Sequence, residues 1–326
     1  MLLPLLMLYF TGITNILNRL DKAGKILPQM CPSRVVLFIL LAFCAPLSLL
    51  ADGLDDYPSL WESFDPRLQD QLEDTLVQLG LGQAVKNRKL SVALVDITDL
   101  EEPRVASVNG DEMLYAASLP KIAILLGAFV EIEQGELAFD KNTRDSLTRM
   151  IRNSSNADAT RMLNRVGKER LLGILQSSRF HLYDPEVNGG LWVGKEYGKS
   201  PAYHRDPMHN LSHGATAMQA ARFYYLLETG QLVGPGLTRE MKSMLGNPGI
   251  RHKFVKGLAD YPDARIFRKS GSWNKWHADS AIVEAQGRKY IIVALAEDPS
   301  GGLWLSRLIK PVHEFMVPRK LARVGH

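Results

Sequence analysis

Leu68, Leu72, Leu76 and Leu79 recur at helical spacing through DPRLQDQLEDTLVQLG (65–80), and Gly80 closes the run, which predicts a helix. The period then switches. KLSVALVDITD (89–99) alternates and is rich in β-branched residues, PRVASVNGDEM (103–113) follows with a turn at Asn109-Gly110, and the two read as strands of a hairpin. An apolar helix is predicted from about Leu119 to Gln134, and SLTRMIRNSSNADATRMLNRVG (146–167) is helical on both sides of a polar interruption. Residues 180–215 hold Gly, Pro, His and aromatic residues without a period, the pattern of a long functional loop. Helices near 215–229 and 237–245, strands at 264–273, 277–285 and 289–297, and an amphipathic helix over 303–316 complete the chain. Strands first and last with helices between them predict an α+β fold: a mostly antiparallel sheet formed from both ends of the chain and packed with a helical block. No repeat or linker divides residues 52–326, so they read as one domain.

The N-terminus has a different character. Arg34 precedes VVLFILLAFCAPLSLLA (35–51), a short apolar core ending in small residues, which reads as a secretory leader over 1–51 with Met30 as the natural start. An N-terminal membrane anchor is the alternative, although Pro46 interrupts the stretch. The expected location is periplasmic or secreted. Both cysteines, Cys31 and Cys44, fall in the leader, which leaves the domain without disulfide or thiol chemistry. A net charge of +4, with no long run of like charges, speaks against a nucleic-acid partner.

One lysine stands out against this background. In LYAASLPKIAIL (114–125), Lys121 opens an otherwise apolar helix three residues after Ser118. That spacing puts both side chains on one face, and apolar packing behind a lysine lowers its pKa toward that of a useful base. Alone, the pair reads more readily as a helix cap and a surface lysine. Two further stretches change this: Ser154-Ser155-Asn156 between helical segments, and Lys269-Ser270-Gly271 on a predicted strand. With S-x-x-K, S-x-N and K-S-G in this order and context, the chain resembles the class A β-lactamase and penicillin-binding-protein superfamily across the whole of 52–326.

The resemblance implies a serine hydrolase working through an acyl-enzyme. Ser118 would be acylated, with Lys121 as its base and Ser154 relaying a proton to the leaving nitrogen. Asn156 would hold a substrate amide, while Lys269 and Ser270 would bind a substrate carboxylate. The strand around Gly271 would bring up Ser272, whose N–H makes the oxyanion hole with that of Ser118. β-Lactam hydrolysis is the leading activity. A D,D-peptidase or esterase on the same scaffold is the alternative, and a non-catalytic cell-wall-peptide binder is a more distant one. The expected partner is an anionic small molecule or peptide met by a monomer, with no cofactor and no metal.

The sequence departs from the family in four places. Ser155 stands where an aspartate is usual, and the Ser118–Ser154 spacing is short, which implies a more open cleft. LYDPEVNGG (182–190) puts Asp184 at the position of the glutamate that drives deacylation, with Asn188 as a water ligand. Asp184 is one methylene shorter, Glu186 serves only if the register shifts, and an Asp-Pro turn without catalytic part is equally compatible. No arginine follows the K-S-G strand, so Lys275 or His277 are the candidates to support the carboxylate site. His204, Asp206, His209 and His213 crowd together, but Pro207 and Gly214 break any metal-binding helix, and loop packing is expected. Trp273 and Trp276 suit a pocket wall or sheet packing alike.

Overall fold

The computed structural model describes residues 57–318; the leader expected over 1–51, with Met30, Cys31 and Cys44, lies outside them. Helix α1 (Pro66–Gln78) starts where Asp65 accepts the Leu68 N–H at 2.9 Å and Pro66 fills the first turn, whose N–H needs no partner. A short α2 (Gly82–Lys86) leads into strands β1 (Leu90–Asp96) and β2 (Arg104–Val108), and then β3 (Leu114–Tyr115). Helix α3 (Lys121–Glu133) is apolar on every side and buried from Lys121 to Val130, the mark of a central helix. It is followed by α4 (Lys141–Arg152), α5 (Asn156–Val166) and α6 (Lys168–Gln176).

Four short strands come next: β4 (Tyr183–Asp184), β5 (Gly189–Gly190), β6 (Trp192–Val193) and β7 (His213–Ala215). Helices α7 (Ala217–Glu228), α8 (Pro235–Leu245) and α9 (Phe254–Gly257) precede the long strands β8 (Arg265–Trp273), β9 (Trp276–Ala285) and β10 (Arg288–Glu297). Helix α10 (Gly301–Met316) ends the described chain. None of these helices is long and apolar enough to cross a membrane.

The main sheet runs β2-β1-β10-β9-β8, every neighbouring pair antiparallel, so the expected joining of both chain ends is what the structure has. Leu90 lies opposite Ala296, and Asp96 opposite Tyr290. Helices cover both faces. Val92, Leu94 and Ile292 pack with Leu72 of α1 and Leu308 of α10, whereas Ala93, Val95 and Val293 face Phe129 of α3 and Phe223 of α7. A strand buried on both sides loses its alternation, and all seven residues of β1 are buried.

The turn expected at Asn109-Gly110 follows β2, with Asn109 at φ 50° donating from its amide to the carbonyls of Val85 (2.8 Å) and Leu90 (2.9 Å). Two local features differ from the expectation. Helix α6 restarts directly after α5 because Gly167, at φ 93°, turns the chain between them. Residues 180–215 are ordered into two small sheets, whose strands of two or three residues are too short to show a period.

Candidate active site

Strand β3 ends in a tight turn that presents Ser118. Ala117 takes a left-handed conformation (φ 51°), the Leu119 N–H donates to Ala116 O at 3.0 Å, and the Lys121 N–H donates to Ser118 O at 3.3 Å. Pro120 caps α3, so the helix begins at Lys121 rather than at Leu119. Ser118 is left half-buried at the floor of a cavity of about 640 Å³.

Lys121 is fully buried. Its Nζ lies 3.1 Å from Ser118 Oγ, 2.7 Å from the Ser154 carbonyl oxygen, 2.7 Å from Asn156 Oδ1 and 3.3 Å from Ser154 Oγ. Desolvation pulls its pKa down to about 7. The two nearest oxygens can only accept, and a neutral amine has two hydrogens to give them. Its lone pair is then left for the Ser118 hydroxyl. The Tyr197 ring, 4.4 Å from Nζ, closes the other side.

Ser154 occupies the polar break between α4 and α5 at φ 56°. Ser155, the residue that departs from the family pattern, caps α5 by accepting the Asp158 N–H at 3.2 Å. Ser154 Oγ therefore sits between two lysines, because Lys269 Nζ reaches it at 3.0 Å while also donating to Ser270 O at 2.6 Å. Lys269 is almost fully buried, and its pKa is driven well down by burial and then by Lys121 and Arg268 nearby.

Strand β8 brings Lys269, Ser270, Gly271 and Ser272 alongside Ser118. At Gly271 a Cβ would stand 2.1 Å from Ala116 O and 2.9 Å from the nitrogens of Ser118 and Leu119, so only glycine permits this approach. The strand is anchored from behind by Lys253, a residue with no signal in the sequence. Its buried Nζ donates to Gly271 O, to Ser272 Oγ at 2.8 Å and to Ala278 O at 3.0 Å, and burial lowers its pKa to about 8. Lys275 and His277 do not serve here: Lys275 pairs with Glu297 at 2.5 Å, and His277 packs against Gly301 at the start of α10. Next to Lys269, Arg268 and Asp279 form a buried ion pair (2.7 and 2.9 Å) that ties β8 to β9.

Asp184 is not brought to this cluster. Strands β4 and β5 fold residues 183–190 into a hairpin, Tyr183 opposite Gly190, and Asp184 stands at the start of its tip. There its carboxylate caps the turn Pro185–Val187 by accepting the Glu186 N–H at 2.9 Å, with His181 Nδ1 at 3.5 Å. Neither Asp184 nor Glu186 lines the cavity, and Asn188 donates to Asp111 O at 2.8 Å. The Asp-Pro turn is the reading that fits.

Residues 195–213 supply the cavity wall instead. Tyr197 packs on His213 (4.3 Å between ring centres), and Trp276 meets Tyr115 edge-on at 5.3 Å. His213 Nε2 faces Lys195 O at 3.0 Å, while its buried Nδ1 has no hydrogen-bond partner; desolvation lowers its pKa to about 4 and keeps it neutral. The other members of the histidine group lie apart. Asp206 accepts the Tyr183 hydroxyl and the His209 N–H, His204 sits 3.7 Å from Glu169, and no metal-binding cluster occurs among the described residues.

A family model described as the beta-lactamase enzyme family matches residues 71–144 and 141–310. No curated protein sequence matches. Among solved structures, the chain is similar to the β-lactamase from Sphaerobacter thermophilus: 15% identity, 77% of this chain and 99% of that one, TM-score 0.60. It is likewise similar to PBP-A (16%, 77% and 96%, TM-score 0.58) and to an ancestral class A β-lactamase of Gram-negative bacteria (18%, 75% and 99%, TM-score 0.58). At such identities these likenesses speak for the fold.

Proposed function

Because the chain belongs to the beta-lactamase enzyme family, we propose that it is an exported serine hydrolase that is acylated on Ser118 by β-lactams or related amides and releases the acyl group slowly. The observation that carries this reading is the buried Lys121 amine, 3.1 Å from Ser118 Oγ and 2.7 Å from two oxygens that can only accept. Lys121 takes the hydroxyl proton as Oγ bonds to the substrate carbonyl carbon. The N–H groups of Ser118 and Ser272 receive the developing oxyanion. As the C–N bond breaks, Ser154 passes its proton to the leaving nitrogen and regains one from Lys121. Water then cleaves the ester, returning a proton to Ser118. A substrate carboxylate is assigned to Lys269 and Ser270 from the family pattern, on the strand whose Ser272 lines the cavity.

Slow release is the part that separates this reading from an efficient β-lactamase. Glu196 is the sole carboxylate among the described residues lining the cavity, and Lys168 holds it at 2.6 Å. With Asp184 at its hairpin tip, water lacks a free carboxylate base, which favours behaviour like that of a penicillin-binding protein. Export rests on the 35–51 pattern alone.

Intact-protein mass followed against time with benzylpenicillin, alongside Ser118→Ala, tests the proposal. A Ser118-dependent adduct that persists is the expected result. An adduct that clears as hydrolysed drug accumulates would restore the β-lactamase alternative. Absence of any adduct would overturn the β-lactam reading and leave ester or peptide substrates.

A further inference from the structure

Charge on the cavity wall is predominantly positive and unpaired. Away from the wall, Lys168, Lys242, Lys275 and Lys289 each have a carboxylate oxygen within 2.6 Å. Lys195, Lys199 and Arg205 line the cavity and have no carboxylate within salt-bridge distance among the described residues; Arg205 donates only to a carbonyl, that of Asn210, at 3.0 Å. Glu196, on the same wall, is already neutralised by Lys168. Three cations thus face one cavity without compensation, where low-dielectric walls concentrate their field.

Their backbone is fixed. Between the two lysines, the Tyr197 N–H donates to Thr160 Oγ1 at 3.1 Å, and Thr160 Oγ1 donates back to Tyr197 O at 3.2 Å. Lys195 bridges to Ala202 across the same segment. Flat apolar surface lies beside the charges: Tyr115, Tyr197 and Trp276 line the cavity, and Trp273 stands 64% exposed at its edge.

We propose that this wall is a second anion subsite, and that preferred substrates carry an ionised acyl side chain next to an aromatic or other flat group, in addition to the carboxylate expected at Lys269 and Ser270. The identity of the substrate as an acyl donor rests on the function proposed above; the charge pattern does not.

Carbenicillin and benzylpenicillin differ by one α-carboxylate on the phenylacetyl side chain, and phenylmalonate and phenylacetate reproduce that difference without a reactive amide. Rates of Ser118 adduct formation are measured for both penicillins with the full chain, at low and high salt, and with Lys195→Gln/Lys199→Gln. The expected ratio favours carbenicillin by roughly tenfold at low salt and collapses toward one at high salt and in the variant. A ratio of one or less in the unmodified protein, or a ratio that the variant leaves unchanged, overturns the subsite. Tryptophan fluorescence read during titration with phenylmalonate and phenylacetate separates the two proposals. Tighter binding of phenylmalonate, lost in the variant, upholds the subsite even if no penicillin acylates Ser118, an outcome that sinks the β-lactam reading alone. Equal binding of the two acids sinks the subsite even if both penicillins react.

Discussion

Removing a lysine from water disfavours its charged form, and at Lys121 burial brings the proton's departure down to about pH 7. Below that value the lone pair is occupied, and in the proposed mechanism Ser118 loses its base. The rate constant for acylation by benzylpenicillin should therefore rise roughly tenfold per pH unit on the acid side and level off above about pH 7. Rates measured between about pH 5 and 9 check this, and a profile flat across neutrality would remove Lys121 from the role. Ser118, Lys121, Ser154, Lys269 and Gly271 could be picked out beforehand because each sits in a short window that constrains residue type. Lys253 could not, and Tyr197 and His213 were legible only as members of a loop rich in aromatic residues and histidine. Lys253 meets Gly271 and Ala278, and Tyr197 meets Lys121 and Thr160, through contacts that exist only once distant segments have packed.

At the scale of elements, the site depends on how closely β8 approaches the turn before α3. Gly271→Ala would put a methyl group 2.1 Å from Ala116 O, against backbone that cannot yield cheaply. Displacement of β8 by about an ångström should slow acylation on the order of a hundredfold. Far-UV circular dichroism should be unchanged, and normal acylation by this variant would show that the strand edge does not set the geometry. The long strands were readable because β8, β9 and β10 each hold their character over nine or ten residues. In the 180–215 segment, glycines at φ 102° and 151° fold Asp184 back into a hairpin, and a match to a linear motif carries no information about that fold-back.

For the whole molecule, burial lowers the pKa of His213 and His252 to about 4. The unfolded chain binds those protons near pH 6.5, so between about pH 6.5 and 4 it takes up protons that the folded state refuses. Stability should fall as the pH drops through that window. Urea midpoints at about pH 7.5, 6 and 5 would register the decline, and a constant midpoint would contradict it. The sheet order has a consequence of another kind. Strand β1, made early, lies between β2 and β10, and Leu90 waits for Ala296 before its second edge is closed. Pairing across so much chain makes folding slow and late. A nascent chain without β10 has an incomplete sheet and no link from β1 to the strand that carries Lys269. Synthesis must therefore run nearly to its end before β8 is joined to the rest of the sheet beside Ser118, and a chain cut short before β10 should not be acylated.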